Sequence, residues 1–105
     1  DNLRRYTAVN SKQISYLRGL AHNLNPVVMI SNKGLSEAVL KEINLNLDAH
    51  ELIKIKVAGD DRELRAQLLV DICAQTNAVA VHHIGKQLVV YRKSATKPKI
   101  VIPAK

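Results

Sequence analysis

The sequence predicts an α/β fold: a compact two-layer domain in the order α-β-α-β-α-β-β, on a mixed four-stranded sheet. Three observations carry that prediction. Amphipathic helical stretches alternate with short β-branched runs, which requires crossover connections and hence a partly parallel sheet. Two strand-like runs near the C-terminal end are divided by Gly85, which makes a hairpin and a mixed sheet. Finally, 105 residues at 47% hydrophobic content suffice for one core and one domain.

Residues 1–10 read as a flexible N-terminal extension, and 11–105 as a single domain with a basic C-terminal tail. The stretch SKQISYLRGLAHNL, 11–24, places Ile14, Leu17, Ala21 and Leu24 at helical spacing. Asn10 or Ser11 caps it, and Pro26 closes it by disfavouring helix at Asn25. Lys12, Ser15, Arg18 and His22 fall on the opposite stripe, giving the helix a cationic outer face. Gly19, inside this helix, costs about 1 kcal/mol relative to Ala.

Val27–Ile30 is short, apolar and β-branched, and reads as a buried strand. Residues 36–48 form the next helix, with Ser36 as N-cap and Val39, Leu40, Ile43 and Leu47 on one face. Glu51–Ala58 alternates, Ile53, Ile55 and Val57 against Lys54 and Lys56, which predicts a strand buried on one side only. Gly59 makes a turn, and Asp60–Asp61 suit the positive end of a helix dipole. The helix that follows, 62–76, carries Leu64, Leu68, Leu69, Ile72 and Cys73 on one face, so Cys73 reads as a core residue. Ala78–Ile84 and Lys86–Arg92 are the hairpin strands. The tail RKSATKPKIVIPAK follows, with Ile100–Ile102 as a short edge strand.

Charge is the informative bulk property. Sixteen Lys and Arg against nine Asp and Glu give +7 and a pI near 9.8, which points to a polyanionic partner, nucleic acid first. Before Glu37 the only acid is Asp1, and after Asp71 there is none. Two basic ends therefore flank a nearly neutral middle, and a fold that joins the ends gathers the excess on one face.

Other classes find little support. The single cysteine rules out an internal disulfide framework and suits a reducing cytoplasm. No apolar stretch approaches the roughly 20 residues of a membrane span, and residues 1–10 lack the apolar block of a signal peptide. His22, His50, His82 and His83 are too scattered for a metal set, and the adjacent pair points to opposite faces of one strand. There is no phosphate-binding P-loop, dinucleotide fingerprint or acid/base set. The expectation is a non-enzyme with no cofactor, no metal, no small-molecule substrate and no membrane partner.

One stretch, VVMISNKGLSEAVLKEI at 27–43, feeds a strand into a helix through Ser31-Asn32-Lys33-Gly34. This is either an ordinary β-to-α turn or a loop that holds a phosphate with backbone N–H groups near a helix N-terminus. Beside a cationic helix and tail, the phosphate reading is favoured. The aromatics are Tyr6, Tyr16 and Tyr91 alone, so stacking of bases on an aromatic sheet is disfavoured. Contacts to phosphate and ribose of RNA are expected instead, with double-stranded DNA ranked second.

KQISYLRGLAHNLNPVVMISNKGLSEAVLKEI, HELIKIKV, DDRE and IGKQLVVYR, in that order, resemble the CRM domain (chloroplast RNA splicing and ribosome maturation) in its stand-alone bacterial YhbY-type form. The resemblance runs from about Ser11 to Lys105. It implies a sheet-and-helix fold similar to the C-terminal domain of a bacterial translation initiation factor. It also implies RNA binding through a G-x-x-G loop like that of KH domains, and association with precursors of the large ribosomal subunit. The loop falls on Ser31, Asn32, Lys33 and Gly34, with Ser31 in the place of the first glycine. The resulting expectation is a monomeric, cytoplasmic protein that binds ribosomal RNA through these four residues and a basic face of Lys12, Arg18, His22, Arg92, Lys93, Lys97 and Lys99. A module docking on the assembling ribosome through a ribosomal protein, or a non-specific nucleic-acid binder, are the alternatives.

Overall fold

The structure, a computed structural model, describes residues 10–31, 34–94 and 100. Three helices, α1 (Ser11–Ala21), α2 (Glu37–His50) and α3 (Arg62–Thr76), alternate with strands β1 (Val28–Ile30), β2 (Leu52–Val57), β3 (Val79–Ile84) and β4 (Gln87–Tyr91). The sheet order is β1-β2-β4-β3, parallel between β1 and β2 and antiparallel elsewhere. The α/β class, the element order and the mixed four-stranded sheet match the expectation from sequence.

The helices start where their side chains can satisfy the first free amides. Asn10 and Gln13 form a reciprocal capping box: the Gln13 amide donates to Asn10 Oδ1 at 2.9 Å and the Asn10 amide to Gln13 Oε1 at 3.1 Å. Val39 N–H donates to Ser36 Oγ, and Leu64 N–H to Asp61 Oδ1. Helix α1 stops at Ala21, short of the expected residue 24, and Leu24 N–H turns back to the Ala21 carbonyl. Leu24 is consequently exposed, while Gln13 occupies the buried stripe beside Leu17 and Ala21.

Period-two alternation divides the sheet into two apolar faces. Ile53, Ile55 and Val57 of β2 join Leu88 and Val90 of β4 beneath Ile43 and Leu47 of α2 and Leu68 and Ile72 of α3. Leu52, Val81, Val89 and Tyr91 face the other way and receive Leu17 and Ala21 of α1, with Ile14 and Ile100 at the margin. Full burial of each large aliphatic side chain is worth about 1.5–3 kcal/mol, so the first cluster supplies most of the cohesion. Helices therefore cover both faces of the sheet, a fuller layering than two layers. Strand β2 is accordingly buried on both sides over most of its length, since α1 lies over the side expected to be open; even Lys54 is only 7% exposed.

Glu51 joins these parts. It ends α2 in a left-handed backbone conformation, φ +66°, and its side chain is fully buried. Its N–H donates to Leu47 O and its carbonyl accepts from Arg92 N–H, both at 2.8 Å. Its carboxylate accepts the backbone N–H groups of Ser94 and Ile100, each at 2.7 Å. A buried carboxylate is tolerated when hydrogen bonds satisfy it, and these two also fasten the chain after β4 against the sheet.

Glu51→Ala is expected to lower unfolding free energy by about 3 kcal/mol, because two buried N–H groups lose a charged acceptor. Glu51→Gly should lose about 1 kcal/mol less, since glycine accepts the positive φ without strain. Urea unfolding of both variants checks this. Equal losses would remove the backbone strain from the account, and a loss below about 1 kcal/mol for Ala would remove the carboxylate.

Candidate nucleic-acid interface

Charge is sorted by layer. Helix α1 and all four strands contain no Asp or Glu; every acid among the described residues lies in α2 or α3, at Glu51, or at Asp60–Asp61. The α1 side of the sheet therefore presents Lys12, Arg18, His22, Lys54, Lys56 and His82 with no acid in the elements that carry them. Two of this cationic set, Lys54 and Lys56, come from the middle of the chain rather than from its basic ends. Ile100 lies on the same side, packed on the α1-side cluster with its N–H bound to Glu51.

The strand-to-helix loop leaves β1 beside the end of β2, where Ile30 pairs with Val57. Gly34 N–H donates to Ser31 O at 2.9 Å, closing a tight turn, and Gly34 has φ +80°. A residue with a Cβ is strained there even though the space is open. Because that amide closes the turn, Gly34 serves by shaping the loop. Ser36 Oγ and Glu37 already occupy the start of α2. Asn32 and Lys33, at the centre of the loop, and Lys97 and Lys99 of the tail lie outside the described residues. Met29, 69% exposed, and its pairing partner Lys56 lead from this loop across the sheet.

The basic residues separate into two groups. Lys12, Arg18 and His22 lie on the α1 side, and Lys93 is exposed just beyond β4. Arg18 differs from an outer-face residue: its Nε donates to Val81 O at 2.8 Å, so the side chain lies across β3. Arg92 turns inward. Its Nη1 donates to Asn44 Oδ1 at 2.7 Å and to Thr76 O at 2.8 Å, and its Nη2 pairs with Asp48 at 2.8 Å. Alternation explains this, since Tyr91 faces α1 and the next residue must face α2 and α3.

Two residues that the sequence did not connect, Lys54 and His82, meet Arg18 and His22 around a cavity of about 330 Å³. No pattern along the chain signals this. The register does: Lys54 of β2 and His82 of β3 both pair with Val89 of β4. Burial, with the Arg18 charge second, holds the His82 imidazole below its usual value. His83, on the far face, is lowered by burial first and then by Arg62 and Arg65, whose Nε donates to its Nε2 at 3.3 Å. Burial pushes the Cys73 thiol up to about 11, so it is not a thiolate near neutral pH. Among the described residues, no three His, Cys, Asp or Glu side chains are grouped to hold a metal ion, and no helix is long and apolar enough to cross a membrane.

Comparison with known proteins finds a family and several relatives. Residues 9–92 match the CRS1/YhbY (CRM) domain family. A Haemophilus influenzae protein named RNA-binding protein is 50% identical over 99 residues, covering 94% of this chain and 99% of the relative. A Pseudomonas aeruginosa protein named Probable RNA-binding protein is 40% identical over 87 residues, covering 83% and 84%. The solution structure of a hypothetical protein from Staphylococcus aureus superposes with a TM-score of 0.81 at 33% identity, covering 91% of this chain and all of that one.

Arg92→Met is expected to cost about 2 kcal/mol in chemical denaturation, because the Thr76 carbonyl and Asp48 lose a charged donor. A variant as stable as the parent would return Arg92 to the surface. The two imidazoles set a pH dependence. Their folded values lie below the ordinary 6.5, so the folded state binds fewer protons than the unfolded one. Their contribution is fully present above about pH 6.5 and is lost as the pH falls through the lowered folded values. The urea midpoint should fall between about pH 7.5 and about pH 5, and a His82→Gln, His83→Gln double variant should fall less. Parallel profiles for the two proteins would contradict this.

Proposed function

We propose that this chain, which belongs to the CRS1/YhbY (CRM) domain family, binds RNA and associates with ribosomal RNA in precursors of the large ribosomal subunit. The observation that carries the reading is the layer free of acids, α1 and the sheet face beneath it, on a chain of net charge +7. A positive surface without interleaved carboxylates attracts a phosphate backbone and releases its counterions.

Lys12, Lys56 and Arg18 neutralise phosphates on this face. The Ser31–Gly34 turn, with Lys33 and Asn32 at its centre, holds the RNA backbone at the β1 edge, and Lys93, Lys97 and Lys99 extend the contact along the tail. Arg92 contributes by holding α2 and α3 to β4, outside the contact itself. Shape and backbone recognition fit the scarcity of aromatic residues. The protein acts by binding, as a cytoplasmic monomer, with no chemical step of its own. The ribosomal assignment draws its support from the resemblance to stand-alone bacterial members of the family.

Two measurements test the reading. Lys12→Ala should weaken binding of a single-stranded RNA and reduce the salt slope of log K by about one phosphate's worth, read by fluorescence anisotropy. An unchanged slope removes Lys12 from the contact. In a density gradient of cell lysate, the tagged protein should migrate with large-subunit precursors and return to the top after ribonuclease treatment. Migration that survives ribonuclease would replace RNA binding with docking on a ribosomal protein.

A further inference from the structure

The cavity between α1 and the sheet is lined by Arg18, Gly19 and His22 of the α1 segment and by Lys54, His82 and Val89 of the strands. Four nitrogen-bearing side chains from three separate elements converge there, and no carboxylate is among the lining residues. Lys54 is 7% exposed, and no carboxylate of the described residues lies within ion-pairing distance of it or of Arg18. A lysine drawn this far from water, with no counter-charge among the described residues, gains stability when an anion joins it.

Three features of the backbone build the space. Strand β3 carries a bulge between Ala80 and His82. In a regular strand Val81 and His82 would face opposite sides; the bulge lets Val81 enter the α1-side core while His82 faces the same side. The Val81 carbonyl then accepts Arg18 Nε, which fixes the guanidinium over the cavity; its remaining nitrogens make no hydrogen bond among the described residues. Gly19 is the third feature. Glycine is a poor helix residue, and a Cβ built there meets nothing within 4 Å, so close packing does not explain it. Its missing side chain leaves the wall of the cavity open.

We propose that this cavity seats one unpaired nucleotide, with Arg18 and Lys54 on its phosphate and the His22 and His82 imidazoles beside its sugar or base. The volume, about 330 Å³, lies at the small end of ligand pockets and suits a single phosphorylated nucleoside. The geometry of Arg18 favours phosphate, because a planar fork of donors matches its oxygens. Val89 supplies an apolar floor. The ligand chemistry is shared by a nucleotide splayed out of an RNA strand and by a free mononucleotide. The strand is the favoured source, and in that form the inference rests on the RNA-binding reading above.

The test is an NMR titration of the ¹⁵N-labelled 105-residue chain with uridine 5′-monophosphate and, separately, with a uridine pentanucleotide RNA. Backbone amides of Gly19, Lys54 and His82 should shift with the pentanucleotide. Gly19→Leu fills the cavity wall without changing charge, and Lys54→Met removes the buried ammonium. Each should weaken pentanucleotide binding by about tenfold or more. Lys41→Met, on α2 across the sheet, removes the same charge and should change nothing. If Lys54→Met does not fold, Gly19→Leu decides alone. Tight pentanucleotide binding unaffected by Gly19→Leu overturns the cavity and leaves RNA binding standing. Cavity shifts with the mononucleotide but no binding of the pentanucleotide support the cavity as a free-nucleotide site and overturn RNA binding. No shift with either probe overturns both.

Discussion

A single buried carboxylate holds the two faces of this domain together. Glu51 sits where α2 becomes β2, in a backbone conformation that a side chain resists, with no exposure to solvent. The arrangement persists because every polar group it brings inside finds a partner. Its amide closes the helix, its carbonyl takes the Arg92 amide, and its carboxylate takes the amides of Ser94 and Ile100. Ile100, held by that carboxylate, packs at the margin of the α1-side cluster. Tyr91, at the end of β4, registers both the burial and the negative charge: its hydroxyl is pushed above the usual value, by burial first and by Glu51 second.

Arg92 completes the same junction from the other side. Its amide is bound by Glu51, while its guanidinium reaches Asn44, Asp48 and Thr76. The C-terminal ends of α2 and α3 are thus held to β4 by one cation, in a region where free helix carbonyls favour positive charge. The contrast with Asp60–Lys86 is instructive. That pair is also 2.8 Å apart, but it lies in solvent at the edge of a turn, where an ion pair contributes little. Lys86 still holds the Asp60 carboxyl below its usual value.

The same sheet that divides the core also divides the charge. Acids were free to occupy α2 and α3, where several cap or flank helix starts. None occurs in α1 or the strands, so the α1 side is cationic by composition as well as by folding. Among the described residues one short helix lies on that side. Residues 11–21 cannot cover four strands, and among the described residues they leave a cleft over Val89, with Lys56 and Met29 exposed further along the same face. The larger core on the opposite face supplies the rigidity that lets this side stay partly open.

Much of this was written in the chain. Periodicity, caps and turn residues determined the seven elements and their order, because these depend on neighbours within a few positions. The division into Ile53, Ile55 and Val57 against Lys54 and Lys56 followed from the pleat, and the hairpin turn at Gly85 from glycine's tolerance of positive φ. The turn at Ser31–Gly34 and the cationic character of α1 were equally legible. What the sequence could not determine were the facts that depend on which strand lies beside which. Layering on both faces, the inward role of Arg92 and the meeting of Lys54 with His82 over Val89 all follow from the order β1-β2-β4-β3 and from one bulge at Val81. Those are long-range pairings, set by the combined burial of both faces, and no local stretch contains them.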